Sequence, residues 1–135
     1  MAYKIIDIEG VGETYAEKLI AAGIKTTEDL LESCAAPKGR KGLAEQTGIS
    51  EKLILKWTNH ADLFRIKGIG PQFAELLEAS GVDTVKEFGH RVAANLAAKM
   101  EEVNAKKNLV NRVPSESELQ KMIDEAKSMP AKMTY

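Results

Sequence analysis

Ile66-Lys67-Gly68-Ile69-Gly70-Pro71-Gln72-Phe73-Ala74-Glu75-Leu76-Leu77 restates, 58 positions on, the phrase Ile8-Glu9-Gly10-Val11-Gly12-Glu13-Thr14-Tyr15-Ala16-Glu17-Lys18-Leu19. The register continues past both phrases, since Ala21, Gly23 and Thr26 return as Ala79, Gly81 and Thr84. Each copy reads as turn, helix, stop, cap, helix. The first glycine, Gly10 or Gly68, allows the positive φ of a sharp turn. Val11 or Ile69 can drop inward and pin it. A helix starts directly after the second glycine, Gly12 or Gly70, and Pro71 suits a first helical position. Gly23 and Gly81 stand where a helix C-terminus is closed, and Thr26 and Thr84 where the next helix is capped. Within the helices, Ala16, Leu19 and Ile20, and likewise Phe73, Ala74, Leu76 and Leu77, fall on one face.

The same residue types suggest chemistry. The first N–H groups of a helix have no intrahelical partner and lie at the positive end of its dipole. A glycine turn leading into such a helix is therefore a seat for an anion. A phosphate gripped by main chain is gripped without regard to base sequence.

Outward from the copies the pattern stays helical, with no period-two alternation, so an all-α fold is expected. The expected organisation is a first unit over 1–36, a basic loop and linking helices over 37–60, a second unit over 61–92 and a C-terminal helical extension over 93–135, packed as one domain. Pro37-Lys38-Gly39-Arg40-Lys41-Gly42 reads as a loop with three cations in four positions. Ser50 reads as an N-cap for a helix with Leu53, Ile54, Trp57, Ala61 and Phe64 at helical spacing. Leu96, Met100 and Val103 form the stripe of a later helix. Ser115-Glu116-Ser117-Glu118 has capping-box spacing and opens a last helix with Leu119, Met122, Ile123 and Ala126 inward.

Composition bounds the function. The 135 residues are 44% hydrophobic, enough to fill a core, and the net charge is −1. Charge is spread evenly: net −1 over 1–60, +1 over 61–113 and −1 over 114–135. A strongly basic nucleic-acid domain is thereby excluded, and any such surface must be local. No apolar run has the length of a transmembrane helix. Met1-Ala2-Tyr3-Lys4-Ile5-Ile6-Asp7 lacks signal-peptide anatomy, and the single Cys34 cannot form an internal disulfide, so a cytoplasmic location is expected.

The chain resembles the helix-hairpin-helix superfamily, in its paired-hairpin, SAM-like bundle arrangement. More narrowly it resembles a bacterial domain-of-unknown-function family. The phrases carrying the narrower likeness are Thr47-Gly48-Ile49-Ser50, the Trp57 helix, the run Ala61 to Gly70, and Arg112-Val113-Pro114-Ser115. The wider resemblance implies sequence-independent contact with nucleic-acid phosphates, most simply DNA, through backbone amides at Gly68, Gly70 and Gln72 and at Gly10, Gly12 and Thr14. Ile69 and Val11 would pin the two turns. It also leaves room for a monovalent cation held by turn carbonyls, and implies no other cofactor.

The two copies differ in charge. Glu9 and Glu13 flank the first turn and repel phosphate. Lys67 and Gln72 flank the second, with Arg65 upstream. The second turn is therefore the expected contact, with Lys38, Arg40 and Lys41 either an accessory clamp or an ordinary solvated loop. No catalytic residues are expected. Cys34, His60 and His90 lack the paired spacing of a zinc site. The Gly-x-Gly phrases follow no strand and lack the third glycine of a dinucleotide fingerprint. Trp57 reads as core before it reads as a base-stacking platform. The alternative to nucleic-acid binding is a scaffold or protein-interaction module, whose C-terminal helix docks on a partner or a second copy. Membrane association is not expected.

Overall fold

The computed structural model describes residues 3–135, so the reading of Met1-Ala2 lies outside it. The described residues form a 3-10 turn, Ile5–Asp7, and eight α-helices: α1 Gly12–Ala21, α2 Thr27–Cys34, α3 Pro37–Thr47, α4 Glu51–Leu63, α5 Pro71–Ala79, α6 Val85–Gly89, α7 Ala93–Lys107 and α8 Glu116–Ser128. No strand occurs among them beyond an isolated antiparallel bridge between Lys4 and Thr26. The fold is all-α. The described residues divide into two compact units, one of residues 3–62 with 132–135 and one of residues 63–131. Each unit carries one copy of the repeated phrase.

The repeat is structural as well as textual. Both helices of the repeat end in the same closure. The Gly23 N–H donates to Ile20 O and the Ile24 N–H to Leu19 O, while Gly81 and Val82 repeat this to Glu78 O and Leu77 O. Gly23 and Gly81 have φ of 91° and 96°, the left-handed conformation that this closure demands. Thr26 and Thr84 then cap α2 and α6, accepting from the N–H groups of Asp29 and Glu87. In the first copy Asp29 returns the bond to the Thr26 N–H, a full capping box. These bonds hold the Asp29 carboxyl below its ordinary range, with the N–H groups of Lys25 and Thr26 the largest causes.

In the first unit, Trp57 on α4 is 1% exposed and meets the Tyr15 ring at 5.2 Å between centroids. It is a core residue. Leu19, Leu30 and Ile54 are buried in the same unit. Cys34 is also buried, and burial pushes its thiol up to about 11. In the second unit α8 packs on α6 and α7, burying Leu119, Ile123 and Ala126, and α7 packs on α5.

Two expectations need correction. Residues 37–42 are not a loop but the first half of α3. Pro37 takes the first helical position, where its missing N–H costs nothing, and the left-handed Gly48, φ 74°, ends the helix. The glycines that look like breakers are accommodated inside. Ile20 is also not inward: it is 46% exposed, although Ala16 and Leu19 beside it are buried.

The last helix shows why its sequence signature works. Ser115 Oγ accepts from the Glu118 N–H, and the Glu118 carboxylate accepts from the Ser115 N–H, each at 3.2 Å. The Arg112 guanidinium adds a two-pronged grip at 2.9 and 3.0 Å. Arg112 and Ser115 hold the Glu118 carboxyl down to about 2, from an ordinary value of 4.5. A carboxyl whose folded pKa is depressed stabilises the fold above its unfolded pKa, and that stabilisation fades as pH falls through the folded value. The expected result is a loss of urea-unfolding midpoint between pH 4.5 and 2 that is shallower in Glu118→Gln. Parallel acid profiles for the two proteins would refute it.

Candidate nucleic-acid interface

The residues expected at an interface fall in three places. The first turn is open. Gly10 and Gly12 have φ of 90° and 68°, and a Cβ on either would meet nothing within 4 Å. Ile8 and Val11 are buried beneath them, and the Val11 N–H closes the turn onto Ile8 O at 3.2 Å. Val11, the N-cap of α1, offers no side-chain acceptor. The first-turn residues Gly12, Glu13 and Thr14 are all exposed. Geometrically this is an anion seat. Electrostatically it is a poor one, since Glu9 and Glu13 are both exposed beside it.

The second turn keeps half of that geometry. Gly68 has φ 92°, and the Ile69 N–H closes onto Ile66 O at 3.3 Å with both isoleucines buried. Gly70 differs from Gly12, with φ −106° and ψ −176°. Pro71 is the cause, because the proline ring drives the residue before it into extended backbone. Pro71 also removes one donor, so the first free N–H groups of α5 belong to Gln72 and Phe73. The Lys67 and Gln72 side chains are exposed.

The second turn also has a neighbour that its sequence does not announce. The Lys67 backbone N–H donates to Glu125 Oε2 on α8 at 3.2 Å. Met122, one turn earlier on α8, brings its Cε within 3.5 Å of where a Gly68 Cβ would stand. The Arg65 guanidinium is turned to Pro130 O at 2.7 Å, just beyond α8. Of the cations expected here, Lys67 is presented to solvent while Arg65 is tied to the chain. Nothing in the sequence pairs Glu125 with Lys67. The one hint is that Glu125 follows Met122 by three residues and so shares its face of α8.

The third place is α3. Lys38 and Lys41 are exposed, one helical turn apart. Arg40 is buried, its guanidinium donating to Cys34 O at 2.9 Å, Ala35 O at 3.0 Å and Thr134 O at 2.7 Å. It caps the last carbonyls of α2, which have no helical partner. The Tyr135 ring lies over it, 5.5 Å from the guanidinium carbon to the centroid. Basic charge at this site is thus two lysines, not three cations.

These features coincide with a family. The family described as a domain of unknown function, DUF4332, matches residues 9–129. The chain belongs to that family. The matched span takes in both glycine turns, α3 with its two lysines, and Glu125. No curated protein and no solved structure matches the chain. Among the described residues no helix is long and apolar enough to cross a membrane.

Proposed function

We propose that this chain is a helix-hairpin-helix protein that binds nucleic-acid backbone, DNA foremost, without reading sequence and without catalysing a reaction. The second turn is the contact and Lys38 and Lys41 a secondary one. The observation carrying this reading is the Lys67 N–H. In the folded chain it already holds a carboxylate oxygen, that of Glu125, so an anion fits the turn. A phosphate oxygen makes the same bond with more charge. The exposed Lys67 ammonium and the positive end of the α5 dipole, where Gln72 is exposed, add to the attraction. The first turn, ringed by Glu9 and Glu13, serves as a packing unit.

Because so few cations are engaged, binding is weak and its salt dependence shallow. Two or three phosphate contacts give a slope of log affinity against log salt of about −2 to −3. Fluorescence anisotropy of a labelled duplex and a labelled single strand at low salt measures this. Lys67→Ala should lower the slope by about one. Glu125→Ala should raise affinity, since it frees the amide and removes a competing charge. No binding by wild type or Glu125→Ala at roughly 100 μM, the weak end of non-specific affinity, would refute the proposal. A scaffold role is the second reading, favoured by the near-neutral net charge of −1.

A further inference from the structure

The two copies of the repeat differ most in what covers them. In the second, Phe64 is buried and Pro71, Glu75 and Glu78 are half-buried. The matching positions of the first copy, Ile6, Glu13, Glu17 and Ile20, are all exposed. Ile6 is 43% and Ile20 46% exposed, two of the few large apolar side chains open to solvent among the described residues. They line one groove of about 400 Å³, floored by the buried Ile5 and Ala16. Single exposed apolar residues need no explanation, but two in one concavity, on a face that is less exposed at every matching position of the sister copy, do.

The groove is also polarised. Glu13 lies in the first turn of α1 and Glu17 one turn further on, at its middle. Lys25 follows the C-terminal end of α1, and Lys4 is held beside it because the Ile5 N–H donates to Lys25 O at 3.1 Å. The acids therefore stand on the first half of α1 and the lysines past its C-terminal end, with Ile20 between Glu17 and Lys25. The set has no net charge, so it does not select a strongly charged partner. A two-fold axis passing near Ile20 brings the acidic half of α1 in one copy onto the lysines of the next, twice. Such self-matching is what an isologous interface requires.

We infer that this groove is the contact surface of a homodimer, in which α1 of one copy lies antiparallel to α1 of the other. The test is analytical ultracentrifugation of the full chain from 1 to 200 μM, at low and high salt. Wild type should show a concentration-dependent dimer that weakens with salt, as rim charges are screened. Ile20→Glu should weaken association at least tenfold while leaving the far-ultraviolet circular dichroism unchanged. The decisive arm is a charge swap. Lys4→Glu with Lys25→Glu should be monomeric alone, as should Glu13→Lys with Glu17→Lys, and mixing the two should restore a heterodimer. A wild type that stays monomeric throughout overturns the inference. A dimer indifferent to Ile20→Glu, or swap variants that fail to pair, does so equally. Each of these outcomes is independent of nucleic-acid binding at the second turn.

Discussion

Gly39→Ala should destabilise the first unit by about 3 kcal/mol or more, at the severe end of overpacking substitutions. On an exposed helix, alanine in place of glycine is stabilising by up to about 1 kcal/mol. The sign reverses here because of what Gly39 faces. A Cβ at this position would overlap the carbonyl oxygen of Ser33 and stand 3.0 Å from its carbonyl carbon. Those atoms are main chain of α2, so no side-chain rotamer relieves the clash. The two helices must part, or the first turn of α3 must unwind. Either movement disturbs Arg40, the next residue, and its bonds to Cys34 O and Ala35 O. Gly42→Ala is the internal control. It lies in the same helix with nothing within 4 Å of its Cβ, and should be neutral or mildly stabilising. Urea unfolding of both variants decides the matter. Equal midpoints would show that α2 and α3 are not in close main-chain contact.

The same glycine explains where the sequence could and could not be read. The repeat was legible because its residues act locally. A threonine caps the helix that begins at it, a glycine closes the helix that ends before it, and both devices recur at one spacing. Residues 37–42 were misread as a loop because two glycines and three cations have the composition of one. The signal for a helix was present in Pro37 and Gly48 as brackets, but the reason for Gly39 lies in α2 and not in α3. Ile20 was read inward because periodicity marks an apolar face and does not say whether anything covers it. The candidate interface divides the same way. The geometry of Gly10 and Gly68 follows from the turns themselves, whereas the Glu125 carboxylate at Lys67 depends on a packing of α8 that no short-range pattern encodes.

Arg40→Ala should cost about 2–4 kcal/mol, and Lys38→Ala and Lys41→Ala less than about 0.5 kcal/mol each. The three residues look alike in sequence and differ only in where the helix turns them. Lys38 and Lys41 face solvent, where losing a lysine removes little. Arg40, 6% exposed, gives its donors to three carbonyl oxygens. Removing it leaves those acceptors short of a charged donor in a place water reaches poorly. It also takes a favourable charge from the C-terminal end of the α2 dipole. The damage should extend to residues 132–135. Tyr135 stacks on the guanidinium and donates to Asn59 Oδ1 at 3.1 Å, and the Thr134 N–H donates to Ala35 O at 2.8 Å. Hydrogen exchange should therefore show the Thr134 amide losing protection in Arg40→Ala. Arg40→Lys should fall between the two, since an ammonium keeps the charge but lacks the planar fork that spans three carbonyls. If instead Arg40→Ala unfolded like wild type and weakened nucleic-acid binding, Arg40 would be a solvent-facing clamp residue, and the packing of α3 against the end of α2 would be wrong.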